Sequence, residues 1–213
     1  MNGLGSVYWD QKFLKHLNVE DFKYVFEVGA RYGDESIMLS KVFKNANIYS
    51  FEINPLTIDE CEKKLQGFEK VTFYNLGLGD KDEYLPFYSF FQGNDGASSL
   101  LKREDFVTTQ KEIGDVKITT LKKFTSNVNV PYIDLLCMDV QGFELNILKG
   151  ASDYIRNINY IIMEEPKKGI KSPYVGCPSS EDIYQFMKEN KFLEIQRVSE
   201  NNIEDNVLYQ NIQ

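Results

Sequence analysis

The sequence predicts an α/β fold built on a mostly parallel, doubly wound sheet. Two observations support this. Short apolar runs alternate with segments whose apolar residues have helical spacing, which is the pattern of βαβ units. Several of the runs end at a glycine or an acidic residue, as strands do at the ligand-binding edge of such a sheet. The length of 213 residues favours a single domain over 1–213, and 42% hydrophobic residues suffice for a full core.

The first part of the chain contains three predicted strands. A helical lead-in is expected within residues 1–22, and the apolar run 24–28 forms the first strand. Asp34 is expected to cap the helix that follows. The next elements are two strands and the helix between them, at 47–52, 71–75 and 55–66.

Residues 84–118 have a different pattern and are predicted to be an insertion. Residues 84–91 are rich in aromatic side chains and favour a strand, which Pro86 confines to the edge of a sheet. A loop rich in Gly, Asn, Asp and Ser follows at 93–99. A returning strand at 117–120 would complete a hairpin.

Regular alternation resumes at residue 132. The nearly continuous apolar run 132–140 is typical of a central strand that is covered on both faces. A helix, a strand and a second helix are predicted at 144–156, 160–164 and 181–190. Residues 192–198 and 207–211 are expected to pair as an antiparallel C-terminal hairpin, which completes a sheet of seven strands.

The composition excludes several classes of partner. The formal charge is −8, from 24 basic and 32 acidic residues, which argues against duplex nucleic acid and anionic membranes. No apolar run approaches the roughly 18 residues of a membrane span. The first residues lack a signal-peptide pattern, and three widely spaced cysteines form no disulfide framework, so a cytoplasmic location is expected.

A glycine-rich turn follows the first predicted strand and is the first candidate site. Gly29 and Gly33 would let a ligand approach the backbone closely. Their G-x-x-x-G spacing is neither the dinucleotide pattern nor a phosphate loop. Glu27, just before the turn, would repel a diphosphate, whereas it could pair with the ammonium of a methionine moiety.

Acidic residues also lie at the ends of the second strand and the central strand. Glu52 could accept both ribose hydroxyls of an adenosine, and Asp139 lies at a strand end where binding and catalysis concentrate. The loop 75–80 could cover an adenine ring. Together these segments predict a site for a nucleoside joined to an amino acid.

Glu164 and Glu165 end the strand after the central one. With Asp139 they could form an oxygen-ligand site for a divalent metal. Alternatively, one glutamate faces solvent and the other faces the substrate. Because His16 is the only histidine and lies in the lead-in, a serine or cysteine nucleophile with a histidine base is poorly supported.

Taken together, these motifs resemble the FkbM-type methyltransferase family. The resemblance covers about residues 23–165 and is carried by the segments 26–33, 51–55, 75–80, 98–100, 133–144 and 147–151. It implies a Rossmann-like class I methyltransferase fold, S-adenosylmethionine as methyl donor, and transfer to a hydroxyl oxygen. The family's acceptors include sugar hydroxyls, often of deoxysugars in glycans, and macrolide-type hydroxyls.

The resemblance also implies roles for individual residues. The methionine part would be held by Glu27, Gly29, Ala30 and Gly33. The ribose would be held by Glu52, and the adenine would lie by Gly77 and Leu78. Ser36 and Ile53 are further expected cofactor-binding residues. Asp139 would sit near the methyl group and the acceptor. Apart from the resemblance, an acceptor hydroxyl needs a base to remove its proton, and Asp139 or Glu165 is expected to serve as that base.

One departure from the family concerns the central motif. The family usually has Lys-Ile-Asp-Val-Glu-Gly where this chain has Cys137-Met138-Asp139-Val140-Gln141-Gly142. If the lost lysine and glutamate form a salt bridge, the two changes compensate; if the glutamate is a base, its role must move elsewhere. Competing functions are transfer to a small metabolite or a polyketide-type hydroxyl, a nicotinamide-dependent oxidoreductase, and a non-catalytic cofactor-binding module of a larger glycan-processing protein.

Overall fold

The computed structural model describes residues 11–90, 95–104 and 110–213. Its strands are β1 (Tyr24–Val28), β2 (Asn47–Phe51), β3 (Val71–Tyr74), β4 (Gly77–Gly79), β5 (Glu83–Phe90), β6 (Gln110–Thr120), β7 (Ile133–Met138), β8 (Ile158–Pro166), β9 (Phe192–Ser199) and β10 (Glu204–Asn211). Its α-helices are α1 (Gln11–Leu14), α2 (Asp34–Val42), α3 (Ile58–Leu65), α4 (Leu121–Val128), α5 (Glu144–Ala151) and α6 (Ser180–Glu189). Short 3-10 helices cover Asp95–Ala97 and Ser152–Asn157.

The main sheet has seven strands in the order β3-β2-β1-β7-β8-β10-β9. β1, β2, β3, β7 and β8 are parallel, and β10 runs antiparallel between β8 and β9. This confirms the predicted parallel sheet with an antiparallel C-terminal pair. The strand order reverses between β1 and β7, so a crevice is expected beyond the carboxyl ends of these two strands.

The core lies on both faces of this sheet. Neighbouring residues of a strand point to opposite faces, so Phe26 packs with α4 and α5 while Val25 packs with α1 and α2. All six residues of β7 are buried. The prediction of a central strand covered on both faces is therefore confirmed.

A second sheet of three strands, in the order β4-β6-β5, contains the hairpin of the insertion. β5 and β6 make the predicted hairpin, and Pro86 lies on edge strand β5 beside an irregularity in the pairing. β4 was not predicted as a strand. It has only three residues, two of them glycine, and it becomes a strand by pairing in parallel with the end of β6.

Some element boundaries differ from the predictions. Asp34 is the first residue of α2 rather than its cap, because Gly33 takes the N-cap position with a φ of 78°. The side chain of Asp34 pairs instead with Lys64, with 2.7 Å between their charged atoms. α1 has only four described residues, and the start of the predicted lead-in helix lies outside the described residues. The same is true of Phe91, Gly93 and Asn94 in the predicted insertion. Within the described ranges, no helix combines the length and apolar character of a membrane span.

Candidate active site

A cavity of about 250 Å³ opens at the carboxyl ends of β1, β2 and β7. Its walls come from the glycine turn after β1, the ends of β2 and β7, strand β4 and the insertion. Predicted cofactor residues that line it are Gly29, Ala30, Glu52, Ile53, Gly77, Leu78 and Asp139. The structure therefore brings together residues that lie more than a hundred positions apart in the sequence.

The glycine turn is held tightly against β2 and β7. The backbone N–H groups of Gly29 and Ala30 both donate to the carbonyl oxygen of Phe51, at 3.0 and 2.9 Å. Gly29 has a φ of 97°, and a Cβ there would overlap the carbonyl oxygen of Asp139. The position thus requires glycine for its conformation and for its close contact with β7.

Glu52 connects the glycine turn to the end of β2. Its Oε1 accepts hydrogen bonds from the backbone N–H groups of Ile53 and Asn54, at 2.8 and 2.6 Å, and its Oε2 accepts one from the N–H of Arg31. Burial raises the pKa of this carboxyl to about 7. Because each carboxylate oxygen can accept more than one hydrogen bond, Glu52 keeps acceptor capacity towards the cavity.

Glu27, Gly33 and Ser36 are not part of the cavity wall. Glu27 is fully buried beneath the turn, where its Oε2 accepts a hydrogen bond from Ser36, whose hydroxyl also lies 2.6 Å from that of Ser50. Burial raises the pKa of Glu27 well above its usual value. In this structure the three residues lie outside the lining of the cavity, and their contact with a ligand stays a prediction.

Asp139 lies in the cavity wall beside Gln141 and Glu164. The amide nitrogen of Gln141 donates to Oδ1 of Asp139 at 2.7 Å and to Oε2 of Glu164 at 2.9 Å. Burial raises the pKa of Asp139 and, with the charge of Asp139, raises that of Glu164 to about 10. Gln141 was noticed in the sequence only as a departure from a family pattern.

Glu165 is directed away from this cavity. Neighbours in a strand face opposite sides, so Glu164 and Glu165 cannot both turn towards Asp139. Oε1 of Glu165 instead accepts hydrogen bonds from Arg197 at 2.6 Å and from the Tyr209 hydroxyl at 3.1 Å. The structure therefore does not bring the second candidate base to the main cavity.

The hydrogen bonds and the ion pair of Asp139, Glu164 and Glu165 bear on the predicted metal site. Asp139 and Glu164 share the Gln141 amide, while Glu165 has an arginine partner. In the part of the chain that the structure describes, no three His, Cys, Asp or Glu side chains are grouped so as to hold a metal ion.

The insertion covers the cavity from above. Asp95, in its 3-10 helix, accepts hydrogen bonds from the guanidinium of Arg31 and the hydroxyl of Tyr32. The hydroxyl of Ser99 donates to the carbonyl oxygen of Gln141 at 2.8 Å. Asp95 belongs to the predicted polar loop, but its role is not evident from the sequence, because a single acid in a Gly/Asn/Asp/Ser loop carries no signal of its distant partners.

The buried acids predict a loss of stability as the pH rises through the neutral range. The pKa values of Glu52 and Glu165 are raised to about 7 and that of Glu144 to about 8, mainly by burial. A folded-state pKa above the unfolded value of about 4.3 gives stability that is present at low pH and lost as the pH rises through the folded value. We therefore expect the free energy of unfolding, measured by urea denaturation, to fall between about pH 5 and pH 9.

The control for this pH dependence is Glu144→Gln. This amide keeps an acceptor oxygen for the N–H groups of Val140 and Gly142 but cannot ionise. The decline should be shallower in this variant than in the wild type. A free energy of unfolding that rises from pH 5 to pH 9 would contradict the argument.

Comparisons with known proteins agree with this fold. Residues 27–194 match the family model of the methyltransferase FkbM domain. The chain is 18% identical over 150 residues to the 2-O-methyltransferase NoeI of Sinorhizobium fredii, covering 66% of this chain and 62% of that protein. It is 27% identical over 150 residues to the hexuronic acid methyltransferase AglP of Haloferax volcanii, covering 68% of this chain and 56% of that protein.

A solved structure shares the fold. The methyltransferase FkbM of Methylobacillus flagellatus superposes with a TM-score of 0.60 at 14% identity, over 93% of this chain and 46% of that one. This chain thus spans less than two thirds of the length of the two curated relatives, and about half of this structure.

Proposed function

This chain belongs to the FkbM methyltransferase family, and on that premise we propose that it is an S-adenosylmethionine-dependent O-methyltransferase acting on a sugar hydroxyl. The observation that carries the proposal is the cavity beyond β1 and β7, where the strand order of the sheet reverses. Glu52 and Asp139 lie in the wall of this cavity. These residues stand at the carboxyl ends of two strands, where ligands bind in open α/β sheets.

The residues of the cavity fit this cofactor in charge and in shape. The residues that line the cavity include five acids and one arginine, at Asp34, Glu35, Glu52, Asp95, Asp139 and Arg31. Asp34 is paired with Lys64 and Asp95 with Arg31, which leaves an excess of acidic groups in the wall. S-adenosylmethionine carries a sulfonium and an ammonium against one carboxylate, so its net charge is positive. An acidic wall attracts such a ligand, whereas it would repel the diphosphate of a nicotinamide dinucleotide.

In this proposal Gly29 and Ala30 hold the methionine part, Glu52 with Ile53 holds the ribose, and Gly77 with Leu78 lies against the adenine. When bound, the sulfonium supplies an activated methyl group. The protein then has to align the acceptor hydroxyl and take up its proton. Asp139 is the proposed base, because it stands in the cavity wall and burial raises its pKa towards the range in which a base works best.

The acceptor class rests on the relatives. One is called a 2-O-methyltransferase and another a hexuronic acid methyltransferase, which supports transfer to the oxygen of a sugar. A hydroxyl of a small metabolite or of a polyketide-type compound is the alternative acceptor. Membership of this domain in a larger glycan-processing protein stays a prediction.

The proposal is tested by incubating the protein with methyl-labelled S-adenosylmethionine and a panel of sugar nucleotides and glycans. We expect label in a sugar ether, in amounts that Asp139→Asn reduces. We also expect transfer to persist after treatment with EDTA, because Gln141 bridges Asp139 and Glu164 and Arg197 pairs with Glu165. Label confined to small-metabolite hydroxyls would contradict the sugar acceptor and support the alternative one. Activity that requires added Mg²⁺ would support the predicted metal site.

A further inference from the structure

The amide of Gln141 has a fixed orientation at the base of the cavity. Its nitrogen donates one hydrogen to Asp139 and one to Glu164, at 2.7 and 2.9 Å. Its oxygen accepts a hydrogen bond from the hydroxyl of Tyr174 at 2.6 Å. Carboxylates accept hydrogen bonds and the tyrosine donates one, so a flipped amide would lose all three contacts.

Tyr174 is itself held firmly in place. It lies between β8 and α6 and is 2% exposed. Its hydroxyl also lies 2.9 Å from the carbonyl oxygen of Ala97, and the guanidinium carbon of Arg103 lies 4.9 Å from its ring centre. Tyr174 therefore joins the insertion to the end of the central strand through the side chain of Gln141.

The backbone of Gln141 is constrained as well. Its φ is 56°, in the left-handed region, and Gly142 follows with a φ of 99°. The hydroxyl of Ser99 holds the carbonyl oxygen of Gln141 at 2.8 Å. A strained backbone that persists at a site must be stabilised by its surroundings, and here the insertion supplies the contacts.

We propose that Gln141 is the positioning residue for Asp139: its amide, oriented by Tyr174, engages one carboxylate oxygen of Asp139 and leaves the other for the acceptor hydroxyl. The inference rests on the proposed function, in which Asp139 is the base. An amide suits this position because it donates to Asp139 and Glu164 and accepts from Tyr174. An ionised glutamate at position 141, as in the family pattern, would offer Asp139 no hydrogen and would add a negative charge beside it.

The proposal is tested with Gln141→Glu, which nearly preserves shape, and with Tyr174→Phe, which removes only the hydroxyl. Gln66→Glu is the control, because it makes the same charge change at an exposed position next to α3. The main readout is a carboxyl ¹³C NMR titration of protein labelled at aspartate. The signal of Asp139 is identified by its absence from Asp139→Asn.

In Gln141→Glu we expect the Asp139 titration to move upward by about one pH unit or more, because a hydrogen bond to the charged form is lost and a negative charge is gained. Tyr174→Phe should move it by less in the same direction, and Gln66→Glu should leave it unchanged. Turnover in Gln141→Glu should fall by about 100-fold, with an unchanged dissociation constant for S-adenosylhomocysteine.

The titration needs neither cofactor nor acceptor, so it separates this inference from the proposed function. An Asp139 titration that stays the same in both Gln141→Glu and Tyr174→Phe overturns the inference, whatever the substrate is. If Gln141→Glu does not fold, the Tyr174→Phe titration decides alone. If the Asp139 titration shifts in Gln141→Glu and Tyr174→Phe but Asp139→Asn keeps full turnover, Asp139 is not the base. The inference that Gln141 positions Asp139 is then still supported.

Discussion

Replacing Gly29 by alanine is expected to destabilise the protein by about 3 kcal/mol and to abolish binding of S-adenosylhomocysteine. A residue with a side chain loses about 1–2 kcal/mol of stability when it adopts a left-handed φ. Overpacking against the neighbouring backbone adds about 1–3 kcal/mol to this loss. The φ of Gly29 is 97°. A Cβ there would overlap the carbonyl oxygen of Asp139, so β1 and β7 would have to separate at the cavity.

Gly67→Ala separates these two contributions. Gly67 has a φ of 95°, nearly that of Gly29, but a Cβ there would meet nothing within 4 Å. The control should therefore lose only the conformational part of the stability and should bind S-adenosylhomocysteine normally. Urea denaturation and titration calorimetry measure the two effects. Equal losses of stability and binding in both variants would show that contact with β7 is not what requires glycine at position 29.

Replacing Asp139 by asparagine is expected to lower turnover by about 100- to 10,000-fold, the usual contribution of a general base. Asparagine has nearly the same shape but cannot take up the acceptor's proton. Binding of S-adenosylhomocysteine should change little, because Gly29, Ala30 and Glu52 remain in the cavity wall. Turnover is measured with the labelled methyl donor, and cofactor binding by calorimetry.

Asp59→Asn provides the matched control for this substitution. Asp59 lies on the exposed side of α3, away from the cavity, so turnover should stay at the wild-type level. Full turnover in Asp139→Asn would remove Asp139 as the base. Loss of cofactor binding in that variant would instead assign Asp139 a role in holding the methyl donor.

The strand ends of the parallel sheet could be predicted because local signals agree there. The run 24–28 is apolar and ends at a glycine, and Glu52 and Asp139 each follow a buried strand. The positions of these acids at one edge then follow from the parallel arrangement alone. The central strand could be predicted for a similar reason, since burial on both faces leaves a continuous apolar run.

The missed features depend on contacts between distant segments. β4 is a strand only because the end of β6 lies beside Gly77–Gly79. The hydrogen bond from Tyr174 to Gln141 joins residues 33 positions apart, and no local sequence pattern at either residue predicts it. The sequence does not define the direction of Glu165, because adjacent acids give no sign of which face each one takes. The register of β8 and the position of Arg197 decide it.

The central claim is that the cavity between β1, β2 and β7 is a site for S-adenosylmethionine, and calorimetric titration tests it most directly. The wild-type protein and Glu52→Gln are each titrated with S-adenosylhomocysteine and with NAD. We predict saturable one-to-one binding of S-adenosylhomocysteine by the wild type, weaker binding by Glu52→Gln, and no binding of NAD by either. Binding of NAD without binding of S-adenosylhomocysteine would contradict the account and favour a nicotinamide-dependent oxidoreductase.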